Sequence, residues 1–266
     1  MESAIEKPAI EILQPAWTSL VSSNIDALMS LRAGGISSGP YGDVTGVGGF
    51  NVGLYVGDVP MCVNMNRNLA AQLVPSDPKW LKQTHGAVVV DAETCEAEAQ
   101  ADASVSMTPN VVCVVQTADC LPLLLTDTEG KIVAAVHVSW RSLAAGIVQN
   151  TIAHMQKRLG NEAAHFVAWL GPRIGEKDYE VGQDVFDALS GLFDGAQEAF
   201  AAQGEGKYLC DLGALTIGVL TGLGVQEDKI INNHRSTVAD PELFYSYRRD
   251  TTTGRHATMI WIKDEQ

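Results

Sequence analysis

Apolar residues in this chain come in short unbroken runs, with stretches of helical spacing between them. Val111 to Gln116, Leu121 to Thr126 and Ile132 to His137 are rich in Val, Ile and Leu and are interrupted by turn residues such as Pro109, Asn110 and Gly130. Runs of this length and composition predict strands. Trp80 to Asp91, Phe166 to Leu170 and Ala257 to Ile262 read the same way. From Pro60 to Leu73, Met61, Met65 and Leu69 fall on one helical face. Leu143, Ile147, Ile152, Met155 and Leu159 recur at helical spacing, with Ser142 suited to the N-cap and Gly160 just past the end. Asp184 to Phe193 and Asp211 to Leu223 are further helical segments. Strands mixed with helices throughout predict an α/β or α+β sheet covered by helices. No linker or internal repeat divides residues 1–266, so a single domain is expected.

Charge narrows the partners. The 32 acidic and 18 basic side chains leave a net charge of −14, the wrong sign for neutralising phosphate backbones, so nucleic acid is not an expected partner. A hydrophobic content of 46% excludes disorder. The longest apolar stretch, Val111 to Leu125, carries Gln116 and Asp119 in its middle and is too short to span a membrane. Met1 to Ile10 contains Glu2, Glu6 and Lys7 and lacks the basic-then-apolar order of a signal peptide. Five cysteines, Cys62, Cys95, Cys113, Cys120 and Cys210, are odd in number and form no C-x-x-C pair. That argues against a disulfide framework or zinc ribbon and for a reducing cytoplasm. The sequence leaves the oligomeric state open.

Between Arg32 and Asn51 the chain is rich in glycine, and a long loop of this kind is expected to act as a lid or binding loop. Gly35, Ser37 and Gly39 spell the G-x-S-x-G of a nucleophile elbow, without the strand before it or the helix after it that the motif needs. Gly46 and Gly48 begin a dinucleotide-type pattern whose third glycine position is Asn51. The more informative residues sit at predicted strand ends, where α/β folds place ligands. His85, Cys120 and His137 are 35 and then 17 residues apart, which matches no local zinc motif. Two imidazoles and a thiolate suit zinc with a fourth position left for water or substrate, but each residue taken alone reads more readily as a core or surface side chain. His154 falls within a helix and is expected to be solvated, and His165, His234 and His256 show less.

Ordered blocks along nearly the whole chain resemble the bacterial YfiH-like family, also called the polyphenol oxidase or laccase-domain family. They run from Arg32 to Tyr41, Asn51 to Asp58, Gln83 to Gly86, Ala101 to Ala103, Thr117 to Pro122, His137 to Arg141, Trp169 to Pro172, Tyr179 to Gly182 and Tyr245 to Asp250, followed by Thr253 to Arg255. The resemblance implies a mixed β-sheet sandwich covered by helices, as in cytotoxic necrotizing factor toxins. It implies that His85, Cys120 and His137 form a metal triad. It further implies phosphorolysis of adenosine, inosine and methylthioadenosine to a free base and a pentose 1-phosphate, with adenosine deamination beside it. Some positions depart from the family pattern. His137-Val138-Ser139-Trp140-Arg141-Ser142 stands where His-Ala-Gly-Trp-Arg-Gly is usual, Tyr55 replaces a histidine, Ser236 replaces a cysteine, and the segment from Tyr41 to Asn51 is longer.

These implications assign roles. Purine nucleosides and phosphate are the expected partners, with Asn51, Gln83 and Arg248 binding substrate. Arg141 and Arg248 are the leading phosphate contacts, since arginine offers bidentate donors, and Arg249 and Arg255 rank below them. Asp119 is a candidate proton shuttle or a structural residue. Zinc is the expected metal and copper the alternative, in a laccase-like phenol oxidase, although six histidines without a His-x-His pair make a small inventory for a multicopper centre. Other readings are a Cys120-dependent amidase acting on peptidoglycan precursors and a binding module without turnover.

Overall fold

The computed structural model describes residues 10–17, 19–162 and 165–264. Its strands form three sheets. A four-stranded antiparallel sheet is ordered β1 (Ile12–Leu13), β2 (Ile25–Ser30), β14 (His256–Ile262), β6 (Cys113–Thr117), and β3 (Ala33–Ser37) runs outside it. A six-stranded mixed sheet is ordered β13 (Ile230–Asn232), β9 (Phe166–Leu170), β7 (Leu121–Asp127), β8 (Val133–Val138), β5 (Ala103–Ser106), β4 (Val89–Asp91). A small antiparallel sheet, β10 (Glu180–Gly182), β12 (Lys207–Cys210), β11 (Phe200–Gly204), lies to one side. The helices are α1 (Pro60–Ala71), α2 (Trp140–Ala144), α3 (Ile147–Leu159), α4 (Gln183–Leu189), α5 (Leu212–Gly222) and the single turn α6 (Tyr247–Asp250). None among the described residues is long and apolar enough to cross a membrane.

The unbroken apolar runs have a simple cause: the six-stranded sheet is covered on both faces. Along β7, Leu121, Leu123 and Leu125 pack with Val136, Ile152, Met155 and Leu215 under α3 and α5. Leu124 points the other way, joining Ala135 and Trp169 against Met29, Val115 and Ile260 of the four-stranded sheet. The outer face of that sheet, including Leu28, Val114 and Met259, meets Phe50, Val52 and Ala70. The result is a two-sheet sandwich with helices outside, the mixed α/β architecture that was expected. Each buried leucine contributes about 1.5–3 kcal/mol, and β7 alone supplies four with no exposed surface.

Local departures have local causes. Of the run from Trp80 to Asp91 only Val89–Asp91 is a strand; Lys79 and Leu81 make single bridges to Cys113 and Ala99, because residues 84–86 turn around a carboxylate described below. The helix expected from Ser142 is two helices, α2 and α3, broken where Gly146 adopts φ 86°. Its N-cap is Ser139, and Ser142 is the third helical residue. Gly160 does end α3, at φ 62°. His154 is not freely solvated, since its Nε2 lies 2.8 Å from Asp91.

The glycine-rich segment is a packed wall, not a lid. Tyr245 Oη donates to the Tyr41 carbonyl at 2.6 Å, and Arg32 Nε donates to that of Gly42 at 3.0 Å. Ser37 is buried, donating to Asp58 and accepting from Asn66, so its G-x-S-x-G context is structural. A Cβ on Gly49 would lie 1.9 Å from the Tyr41 carbonyl oxygen and 2.6 Å from the Tyr245 hydroxyl. Gly49→Ala is therefore expected to cost about 2–3 kcal/mol, lowering the melting temperature by roughly 5–10 °C in a calorimetric scan.

Candidate active site

The sandwich brings the three candidate ligands to one end. Cys120 occupies the crossover where the chain leaves β6 in one sheet and enters β7 in the other, and the next strand over, β8, places His137 opposite Pro122. His85 belongs to the turn before β4. Donor atoms of His85, Cys120 and His137 all lie within 4.8 Å of one another, and the two imidazole centroids are 4.7 Å apart. They sit in a cleft of about 590 Å³.

One buried carboxylate organises both histidines. Asp102 Oδ1 accepts from His137 Nδ1 at 2.8 Å and from the His85 backbone N–H at 2.9 Å. Its Oδ2 accepts from the N–H groups of Thr84 and Gly86 and from the Thr84 hydroxyl. The turn closes on this carboxylate with His85 at φ 59°, a backbone region uncommon outside glycine. Because Nδ1 of His137 is taken, its Nε2 is the free nitrogen, and a carboxylate behind an imidazole is the usual second partner of a metal-ligating histidine. Burial alone would lower the His137 pKa, but the Cys120 sulfur and Asp102 raise it to about 9. Crowding by surrounding protein and then the charge of His137 push His85 down to about 4. One thiol and two imidazoles fit a divalent transition-metal ion with an open coordination position.

Arg141, Arg248 and Arg255 line the same cleft, together with the aromatic rings of Tyr55, Trp140, Tyr179 and Tyr247. The guanidinium of Arg141 lies over Trp140, and that of Arg248 over Tyr179, donating to the carbonyls of Asp178 and Glu180. Arg249 points away, bidentate to Asp250 and donating to the carbonyls of Thr237 and Phe244. Asn51, expected to bind substrate, is wholly buried behind the wall. Its Oδ1 accepts from the N–H groups of Gly53 and Arg255, and its Nδ2 donates to Asp58, so it shapes the cleft without facing it. Gln83 lines the cleft, but both ends of its amide pair with the Gln116 backbone. Asp119 also borders the cleft, with one oxygen accepting from the Thr237 hydroxyl and the other from the Arg248 N–H. Asp102 and the aromatic wall escaped the reading of single residues. A lone carboxylate among the small residues Ala101, Ala103 and Ser104 was the available signal for Asp102.

Comparison with known proteins places the whole chain in a family. A family model described as multi-copper polyphenol oxidoreductase laccase matches residues 26–263. The Escherichia coli K12 protein named purine nucleoside phosphorylase YfiH is 40% identical over 256 residues, 95% of this chain and 99% of that one. The chain belongs to the YfiH laccase-domain family. A Haemophilus influenzae family member, named purine nucleoside phosphorylase, is 37% identical over 258 residues, covering 96% of this chain and all of that one. Among solved structures, the Neisseria meningitidis protein NMB0706 matches with a TM-score of 0.85 and 41% identity, over 95% of this chain and 99% of that one.

Within the YfiH family pattern, the departures fall on positions that the structure explains. Ser139 and Ser142, both in place of glycine, form a reciprocal capping box. Ser139 Oγ accepts from the Ser142 N–H at 3.1 Å, and Ser142 Oγ accepts from the Ser139 N–H at 2.7 Å while donating to the His137 carbonyl. Ser139 has extended backbone at φ −101°, which needs no glycine. Val138 fills the core. Ser236 Oγ donates to Asp178 and accepts from the Gly175 N–H. Tyr55 is 66% exposed at the cleft mouth, with Lys82 above its ring.

Proposed function

We propose that this chain is a zinc-dependent purine nucleoside phosphorylase acting on adenosine, inosine and methylthioadenosine, with adenosine deamination as a side activity. The observation that carries this reading is the convergence of His85, Cys120 and His137 in a cleft bordered by three arginines. A bound zinc ion would supply a Lewis acid next to the substrate. Tyr55, Trp140, Tyr179 and Tyr247 offer π-faces to a purine, whose offset stacking is worth about 1 kcal/mol per ring. Arg141, Arg248 and Arg255 attract phosphate into a protein that is otherwise strongly acidic. In phosphorolysis a phosphate oxygen forms a bond to the ribose C1′ as the glycosidic bond breaks, and the purine departs with that electron pair. Clamping phosphate beside a stacked nucleoside converts this encounter into a local one. All five cysteines are free, which supports a reducing, cytoplasmic setting.

The donor set supports one metal ion rather than a copper cluster. Among the described residues, His85, Cys120 and His137 are the only group of three potential ligands, and His256 is consumed elsewhere, accepting from the Tyr245 N–H. A second reading, an amidase acting on peptidoglycan precursors, draws on the row Asp102, His137, Cys120: a carboxylate, an imidazole and a thiol in the order of a nucleophilic triad.

Product analysis separates the two. Incubated with adenosine, the purified protein is expected to yield adenine and ribose 1-phosphate only when phosphate is present, and some inosine without it. Adenosine left intact under both conditions sinks the nucleoside reading. Rapid alkylation of Cys120 in active protein with no bound zinc would favour the amidase.

A further inference from the structure

Asp119 precedes Cys120 in the crossover and holds φ 82°. Its carboxylate joins segments that are remote in sequence: Oδ1 accepts from the Thr237 hydroxyl at 2.5 Å and Oδ2 from the Arg248 N–H at 2.6 Å. Its carbonyl accepts from the Ile174 N–H at 2.9 Å. The Arg248 side chain is tied in turn to the carbonyls of Asp178 and Glu180 at 3.2 and 3.1 Å, leaving its remaining donors for the cleft. We propose that Asp119 is a positioning residue that fixes the Arg248 cation, as part of a phosphate subsite, relative to the Cys120 donor one residue away. This rests on the phosphorolysis reading above.

The geometry separates this role from proton shuttling. Both carboxylate oxygens are engaged by donors from the segments that carry Arg248 and Thr237. A residue that acts by position is replaceable by any group that makes the same hydrogen bonds, whereas a proton carrier is not. Asparagine supplies that group: it tolerates positive φ, its oxygen can accept from the Arg248 N–H, and its amide can donate to the Thr237 hydroxyl. Glycine supplies the clean deletion, since it adopts φ 82° without a steric penalty.

The test measures binding of inorganic phosphate by calorimetry and the kinetics of adenosine phosphorolysis on zinc-loaded protein. Asp119→Gly is expected to weaken phosphate binding and to raise its KM about tenfold or more, the value of a lost hydrogen bond to a charged group. The KM for adenosine should move far less. Asp119→Asn is expected to restore phosphate binding to within about threefold of the original. In an Arg248→Ala background, Asp119→Gly should add nothing further to the phosphate defect, because two residues acting through one contact are not additive. Failure of Asp119→Asn to rescue, with kcat collapsing in both variants, overturns the proposal in favour of proton transfer. Unchanged phosphate binding in Asp119→Gly overturns it as well. Should the glycine variant not fold, Thr237→Val removes the Oδ1 tie alone; a rise of about threefold in the phosphate KM is expected, and no rise counts against the proposal. If the unaltered protein binds no phosphate, the phosphorolysis reading itself fails, a result distinct from any behaviour of the variants.

Discussion

Replacing Cys120 by alanine is expected to leave a folded protein that no longer retains its metal. The Cys120 side chain faces the cleft, so its truncation opens no cavity in the core. The loss falls on coordination. Zinc sites with four protein ligands are worth about 10–16 kcal/mol, roughly 3 kcal/mol per ligand, so removing one of three should weaken zinc binding on the order of 100- to 1,000-fold. Phosphorolysis at limiting zinc should fall at least as far. The control is Cys210, whose burial pushes the thiol up to about 12 and which lies in the apolar core; Cys210→Ala should cost some stability and no zinc. Elemental analysis after dialysis reads both variants, and full zinc content in Cys120→Ala would remove Cys120 from the ligand set.

Asp102→Ala should have the largest effect on stability. It strips an acceptor from five donors, namely the N–H groups of Thr84, His85 and Gly86, the Thr84 hydroxyl and His137 Nδ1. Leaving such a buried group unpartnered costs about 3–5 kcal/mol, and disturbing the partner of a ligating histidine lowers metal affinity about 10- to 100-fold. The pH dependence of the metal-free protein carries its own signature. Burial would raise the Asp102 pKa, but His137 and the backbone N–H groups hold it below 3.8. Its contribution is therefore present above that value and disappears as pH falls through the lowered one. The His137 pKa is raised to about 9. Its contribution is complete below 6.5 and fades as pH rises through 9. Chelated protein should thus be most resistant to urea between about pH 4 and 6.5 and should weaken towards pH 9, and Asp102→Ala should flatten that alkaline decline. A decline equally steep in the variant would show that Asp102 does not hold the His137 proton.

How much of this was legible beforehand follows from the kind of force involved. The β6, β7, β8 and β9 runs were readable because strands buried on both faces must be apolar throughout, and α5 was readable from its apolar run, with Asp211 capping it. Strands such as β2 and β5 were not read, because Asp26 or the alternating serines Ser104 and Ser106 dilute the pattern while tertiary pairing supplies the order. The break at Gly146 was lost because the apolar period continues across it. At the site, His85, Cys120 and His137 were singled out as candidate ligands by resemblance to a family and not by their own pattern, because their meeting depends on a crossover between two sheets that spacing does not encode. Asn51 was misplaced for a related reason: a polar side chain in a glycine-rich segment looks like a ligand contact until its hydrogen bonds are seen to end inside the wall.

The serine pair at the head of α2 bears on how such a site can change over evolutionary time. Each hydroxyl caps the other residue's backbone N–H, a donor that glycine also carries, so either serine keeps its capping contact when the other is replaced. Ser142 also keeps the His137 carbonyl as its acceptor, whereas the Ser139 hydroxyl loses its contact with Ser142 Oγ when that residue is glycine. Positions 139 and 142 can therefore convert one at a time, with Ser142 the one gained first and lost last beside His137.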